Sequence, residues 1–271
     1  MEINRSNVIE IVKNAGLKPD KDYGQNFLIE PDVSKRIVEA ANLEKNDKIL
    51  EIGPGIGSLT HYISLSDAQI SLVDIDRRMV DFLLIFYKDN NNIKIFENDI
   101  RKTPVGSYTK IIGNLPYNIT TETVIYLLKE AKCAKKMILM CQTEAFNRFY
   151  DLSGGDYGPA SVLVHLLGNS KKLFSVKPGC FYPAPKCGST VFEINLNGQT
   201  NREKAIKVYE LAKSLFLNRR KNILNNLSNY LKDRPLAETI LTKSGIEVTK
   251  RPEEISPQQY EIIFDAVNTV K

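Results

Sequence analysis

Ile49-Leu50-Glu51-Ile52-Gly53-Pro54-Gly55-Ile56-Gly57 reads as a buried strand ending in a glycine-rich turn, with Ser58 and Leu59 opening a helix behind it. Glycines in such a turn let the backbone take positive φ and approach a ligand closely. Their spacing separates classes of ligand. Gly53, Gly55 and Gly57 form GxGxG, whereas a dinucleotide fingerprint needs GxGxxG and a P-loop needs a lysine that does not follow here. A ligand that carries no phosphate at the turn requires neither.

Outward from this turn, short β-branched runs alternate with amphipathic segments, the pattern of a mainly parallel sheet covered by helices on both faces. Strands are expected at Lys48 to Ile52, Gln69 to Ile75, Ile93 to Phe96, Lys110 to Gly113 and Lys136 to Cys141. A later pair is expected at Ser170 to Val176 and Ser189 to Leu196, flanking a proline-rich loop. Arg77 to Tyr87 and Thr121 to Lys132 space their apolar residues as helices do. Asn4 to Asn14 and Pro31 to Asn42 read as two further helices. The tract Asn197-Gly198-Gln199-Thr200-Asn201 breaks the pattern, and helices separated by Pro235, Gly245 and Pro252 follow it. The expected organisation is an α/β Rossmann-like domain over residues 1–199 and a small helical domain over 200–271.

Composition narrows the class. A chain of 271 residues with 42% hydrophobic and 25% charged residues can bury a core, so a disordered chain is excluded. No run approaches the roughly 20 apolar residues that span a bilayer, and Met1 to Asp22 is charged throughout instead of carrying an apolar signal core; a cytoplasmic protein is expected. The net charge of +5 permits a nucleic-acid partner without requiring one. Cys133, Cys141, Cys180 and Cys187 lack paired metal-ligand spacing, and His61 and His165 have no partner pattern, so no metal is expected.

Chemistry gathers at the carboxyl ends of the strands. Asp74 closes the second strand, where a carboxylate can accept from both hydroxyls of a ribose, and Asp76 follows at the start of a helix. Asp99, after the third strand, can accept from an adenine amino group while Ile100 lines the ring; either aspartate alone reads better as a strand-end or capping residue, and it is the two together with the glycine turn that read as a ligand site. The fourth strand ends in Asn114-Leu115-Pro116-Tyr117. The exocyclic amine of adenine is a poor nucleophile because its lone pair is delocalised into the ring, so a catalyst needs acceptors for its two hydrogens. The Asn114 side-chain oxygen and the Leu115 carbonyl are such acceptors, Pro116 restricts the residue before it to extended backbone, and Tyr117 offers a flat face to a base. No strong general base is needed, because the amine becomes acidic only after it has been methylated.

With these motifs the chain resembles, over nearly its whole length, the KsgA family of ribosomal RNA adenine dimethyltransferases. Gly24-Gln25-Asn26-Phe27-Leu28 is similar to the family's amino-terminal cofactor motif, which implies contacts from Asn26 and Leu28 to S-adenosylmethionine. Gly53 matches the first glycine of the family turn, Asp74 stands where glutamate is usual, and Asp99 and Asn114 match unaltered. Gln142 and Glu144 resemble its QxE segment, and Tyr157-Gly158 its next loop, with Pro159 and Ala160 departing from the pattern. Phe181-Tyr182-Pro183-Ala184-Pro185-Lys186 resembles the FxPxPK loop, so Phe181 is implied to stack on the target adenine opposite Tyr117; the plain alternative is a core aromatic. Arg219, Arg220 and Lys221 resemble the family's RRK helix, from which they would fan out towards several phosphates, and Arg251-Pro252-Glu253-Glu254 its RPEE segment.

The resemblance implies transfer of methyl groups from S-adenosylmethionine, leaving S-adenosylhomocysteine, to two adjacent adenosines near the 3′ end of small-subunit (16S) rRNA within a preassembled particle, by a monomer. The alternatives are a large-subunit (23S) rRNA adenine methyltransferase of the macrolide-resistance type, against which the RRK helix argues, and a non-catalytic RNA-binding factor on the same fold.

Overall fold

The computed structural model describes residues 2–17, 19, 25–198 and 200–270. Gly24 of the expected cofactor motif and Gln199 of the expected linker therefore lie outside the described residues. By contacts the chain divides into two compact units, one formed by residues 1–146 and 171–195, the other by 147–170 and 196–271.

The first unit is built on a seven-stranded sheet. In chain order its strands are β2 (Lys48–Ile52), β3 (Gln69–Asp74), β4 (Ile93–Glu97), β5 (Lys110–Asn114), β6 (Lys136–Gln142), β7 (Gly168–Val176) and β9 (Ser189–Leu196). Two-residue strands β1 (Phe27–Leu28) and β8 (Phe181–Tyr182) pair antiparallel apart from it, with Leu28 opposite Phe181. Spatial order in the large sheet is β4-β3-β2-β5-β6-β9-β7, parallel from β4 through β6 and antiparallel between β6 and β9. Chain order runs outward from β2 in one direction and from β5 in the other, so the topology switches between these two neighbours. Ligands in open α/β sheets bind at such a switch, outside the carboxyl ends of the strands.

Burial explains why β2 is central. Ile49, Leu50 and Ile52 are at most 2% exposed, as expected of a strand covered on both faces. The helices of this unit are α1 (Val8–Asn14), α2 (Pro31–Ala41), α3 (Thr60–Ile63), α4 (Arg77–Phe86) and α5 (Thr120–Glu130). Pro31 occupies the first turn of α2, where its missing N–H costs nothing, and Asn42 ends that helix in the left-handed region at φ +50°. Asp76 caps α4 by accepting from the Arg78 N–H. Helix α6 (Thr143–Tyr150) follows β6 and carries the chain from the first unit into the second.

The second unit comprises α7 (Pro159–Leu167), α8 (Arg202–Leu215), α9 (Ile223–Leu231), α10 (Arg234–Lys243) and α11 (Pro257–Val270). Its core gathers Tyr157 and Val162 with Val208, Leu215, Leu227, Leu241 and Tyr260. The expected division at residue 199 thus needs one correction: residues 147–170 belong to the helical unit, because Tyr157 and α7 bury their apolar side chains there. Pro159, one of the departures from the family loop, takes the first turn of α7, a position that suits proline. Among the described residues no helix is long and apolar enough to cross a membrane, and no group of three or more His, Cys, Asp or Glu residues is arranged to hold a metal.

Candidate active site

Parallel registry brings the glycine turn and the fourth-strand tetrapeptide together. Ile52 pairs with Gly113 across β2 and β5, so Gly53, just past the end of β2, comes beside Asn114, the last residue of β5. A Cβ on Gly53, which has φ +61°, would stand 3.3 Å from the Asn114 carbonyl oxygen. The Gly53 N–H donates to Val73 O at 2.9 Å, which ties the turn to β3 immediately before Asp74. Gly55, at φ +55°, lies against Phe27, whose ring atoms would be 3.2 Å from an added Cβ. Positive φ favours glycine at both positions, and the space beside each is tight.

The cavity beside the turn is lined by Gln25, Asn26, Phe27 and Leu28, by Glu51, Gly53 and Gly55, by Asp74 and Ile75, and by Asn114 through Tyr117. Of the residues expected to contact a cofactor, Asn26, Leu28, Gly53, Asp74 and Asn114 share this wall. Asp74 is 8% exposed; its carboxylate accepts the Gly55 N–H at 3.1 Å and the Asp76 N–H at 2.9 Å. Burial pushes the Asp74 carboxyl up to about 6, and the backbone donors oppose that shift. Two oxygens with about four lone-pair sites still leave acceptor capacity after two N–H bonds.

Asp99 stands apart. It is not among the residues that line the cavity, and it caps the short helical turn Ile100–Lys102 by accepting the Arg101 N–H at 2.9 Å. The Arg101 guanidinium also reaches its carboxylate at 2.7 Å, which holds the Asp99 carboxyl below the usual range. Sequence reasoning overlooked Glu51. This carboxyl is 1% exposed in the middle of β2, lines the cavity and accepts the Thr60 hydroxyl at 2.8 Å. Burial drives it up to about 8. Its signal was visible in the sequence, since a carboxylate inside a strand buried on both faces has no reason of stability to be there.

In the tetrapeptide, the Asn114 amide nitrogen donates to the Asn26 carbonyl at 3.2 Å. With the nitrogen so engaged, the side-chain oxygen is left as an acceptor. The Leu115 N–H donates to Met140 O at 2.9 Å and so anchors the segment to β6, while Pro116 O accepts the Thr120 hydroxyl at 3.0 Å. Tyr117 is half-buried, its hydroxyl 3.0 Å from that of Ser189. Phe181 corrects an expectation. It is 3% exposed and packs in the core with Leu28, Ile37 and Val176, and it is absent from the cavity wall, so it presents no open face opposite Tyr117. Pairing of β8 with β1 is what turns the ring inward.

Within the helical unit, Arg219, Arg220 and Lys221 lie in the turn between a short helical turn (Phe216–Asn218) and α9, not on a helix as expected. Arg219 donates to Gly155 O at 2.8 Å and Gly154 O at 3.0 Å, and its Nε stands 3.8 Å from Glu253. Arg220 and Lys221 are exposed. The RPEE segment serves its own unit: the Arg251 N–H donates to the Glu254 carboxylate at 2.7 Å, and Pro252 O accepts the Tyr260 hydroxyl at 2.8 Å.

A switch-point cavity with a GxGxG turn, no P-loop lysine after it and an acidic residue closing the next strand defines a Rossmann-like S-adenosylmethionine-dependent methyltransferase. The chain belongs to the ribosomal RNA adenine dimethylase family, whose sequence profile matches residues 16–269. It is 33% identical to a ribosomal RNA small subunit methyltransferase A of Malacoplasma penetrans, over 95% of either chain. Among solved structures it resembles a dimethyladenosine transferase from Plasmodium falciparum, with a TM-score of 0.77 and 22% identity over 90% of this chain and 98% of that one. It also resembles the 23S rRNA methyltransferase ErmE, with a TM-score of 0.68 and 24% identity over 90% of this chain and all of that one. At these identities both structural likenesses speak for the fold.

Proposed function

We propose that this chain dimethylates the N6 amines of two adjacent adenosines near the 3′ end of small-subunit (16S) rRNA, working as a cytoplasmic monomer on a preassembled particle. Family membership and the small-subunit relative support the reading; the observation that carries the chemistry is the Asn114 amide, held by the Asn26 carbonyl so that its oxygen is an acceptor at the cavity.

The cavity fits S-adenosylmethionine on its own geometry. The Gly53 and Gly55 positions leave a cradle that a Cβ would crowd, and the buried Asp74 carboxylate is an acceptor pair suited to ribose hydroxyls. When bound, the donor supplies an electrophilic methyl on a positively charged sulfur. We assign the ribose to Asp74, the backbone approach to Gly53, further contacts to Asn26 and Leu28, and the adenine amino group to Asp99, which takes it by exchanging one of its contacts with Arg101.

The chain's part in transfer is acceptance and alignment. The Asn114 oxygen and the Leu115 carbonyl take the two hydrogens of the target amine, which directs its lone pair out of the ring plane. Pro116 keeps Leu115 extended, and Tyr117, steadied by Ser189, provides the face on which the flipped base stacks. The stacking role is assigned to Tyr117 alone, because Phe181 is in the core. Arg220 and Lys221, exposed in the helical unit, are assigned to phosphates, while Arg219 holds the loop at 154–155.

The test is transfer of labelled methyl groups to small and large ribosomal subunits from cells lacking the enzyme. Dimethyladenosine in small-subunit RNA is expected, while label in large-subunit RNA alone would replace this reading with the resistance-type one. Asn114→Ala is expected to lower single-turnover transfer by about 100-fold or more, because the amine loses an aligned acceptor; an unchanged rate would remove Asn114 from the mechanism.

A further inference from the structure

Three hydrogen bonds and one peptide link connect the acidic turn after β3 to the catalytic amide. Asp74, assigned to the ribose, accepts the Asp76 N–H at 2.9 Å. Asp76 is 3% exposed, and besides its cap on α4 its carboxylate accepts from Arg78 Nη2 at 2.6 Å and from the Gln25 amide nitrogen at 2.7 Å. Gln25 is joined by one peptide to Asn26, whose carbonyl accepts the Asn114 side-chain nitrogen. Two further contacts hold the same short segment, since the Ser58 hydroxyl donates to Leu28 O at 2.6 Å and Phe27 fills the space beside Gly55.

We propose that Gln25 is a positioning residue for methyl transfer, acting through Asp76 and the Asn26 carbonyl to fix which end of the Asn114 amide faces the target amine. The physical basis is the asymmetry of a primary amide. If the Asn114 side chain were turned over, its oxygen would meet the Asn26 carbonyl oxygen, two acceptors without a proton between them, and its NH2 would face the amine hydrogens. A carbonyl held in place at Asn26 therefore selects the productive orientation, and its hold depends on where residue 25 is fastened. Asp76 suits that purpose: a buried carboxylate bonded to Arg78 is a rigid acceptor, and a bond from an amide to an ionised group is stronger than one between neutral partners. The inference rests on the proposed reaction, and it adds that the segment bearing Asn26 sets the chemistry as well as touching the cofactor.

Single-turnover transfer to small subunits lacking the modification tests it, together with calorimetric binding of S-adenosylmethionine to the full chain. Gln25→Met keeps the length of the side chain and removes the donor. Its transfer rate at saturating cofactor is expected to fall about tenfold while the dissociation constant moves less than about threefold, the split that marks an orienting role. In an Asp76→Ala background the same substitution is expected to change the rate by less than about twofold, because residues acting as a unit are not additive. If Gln25→Met does not fold, Gln25→Asn, which keeps the amide but is one methylene too short to reach Asp76, takes its place with the same expectations. An unchanged rate at saturation, a weakening of cofactor binding that accounts for the whole loss, or full additivity with Asp76→Ala would each overturn the proposal. Failure of the underlying reaction is distinguished by the wild-type chain, which would then transfer no label at all.

Discussion

Glu51 is the least expected residue at the site. Its carboxyl is 1% exposed, and burial raises it to about 8 from an ordinary 4.5. The folded chain therefore holds a proton that the unfolded chain releases, and stability contributed by the neutral form is lost as pH rises from about 4.5 towards about 8. Asp74, raised to about 6, acts in the same direction over a lower window. Glu51→Gln keeps an acceptor for Thr60 and removes the titration. Its stability relative to wild type is expected to improve by on the order of 3 kcal/mol between pH 5 and pH 8, as denaturant unfolding at several pH values will show; parallel profiles would mean that Glu51 is already ionised in the cavity. Phe181 asks a different question. Removal of a ring that is 3% exposed is expected to cost about 3 to 5 kcal/mol in Phe181→Ala. Phe181→Leu, which refills much of the space, is expected to keep transfer within about threefold of wild type. A far larger loss in a well-folded Leu variant would return the ring to the stacking role.

At the scale of elements, the strands and helices of the first unit were legible because periodicity and burial agree. The runs at Lys48–Ile52 and Ser189–Leu196 hold to the residue, the other five strands of the seven-stranded sheet and α2, α4 and α5 hold within one or two positions, and α1 begins at Val8 instead of Asn4. The glycine turn and Asn114 could be assigned to strand ends, yet their adjacency depends on β2 pairing with β5, a long-range choice that no local pattern encodes. The two-residue pair β1 and β8 was illegible for the same reason, and with it the inward turn of Phe181. The basic run 219–221 was misplaced on a helix because three charged residues carry no periodicity of their own; the chain breaks there, before Asn222 caps α9. That correction separates neighbouring residues by function. Arg219→Ala is expected to destabilise the helical unit by about 1 to 2 kcal/mol, through two lost bonds to the 154–155 carbonyls and the Glu253 carboxylate left without its cation. Arg220→Ala is expected to leave stability within about 0.5 kcal/mol and to lower the salt dependence of particle binding by about one charge. Thermal unfolding and binding measured at several salt concentrations separate the two.

At the scale of the whole chain, the break at 197–201 lies next to the point, residue 196, where the chain re-enters the helical unit, and it conceals that this unit begins earlier, at 147. Composition shifts reveal where a chain leaves one core, not that it visited another core before. Here α6 and the loop after it lead into Tyr157 and α7, and the chain then returns to the sheet through β7. Tyr157 is fully buried, donates its hydroxyl to Ile255 O at 2.8 Å and packs edge-on against Phe216, whose ring in turn lies against Tyr260. A fragment of residues 200–271 would keep α8 to α11 and lose this keystone together with α7, which packs along α8. Deleting a buried aromatic costs about 3 to 5 kcal/mol, and a unit of some seventy residues has little more than that to lose. The fragment is therefore expected to show weak helical circular dichroism and no cooperative thermal transition. The same fragment joined through a flexible linker to residues 147–170 is expected to regain both. A fragment 200–271 that unfolds cooperatively by itself would show that the segment inserted before β7 decorates the helical core instead of completing it.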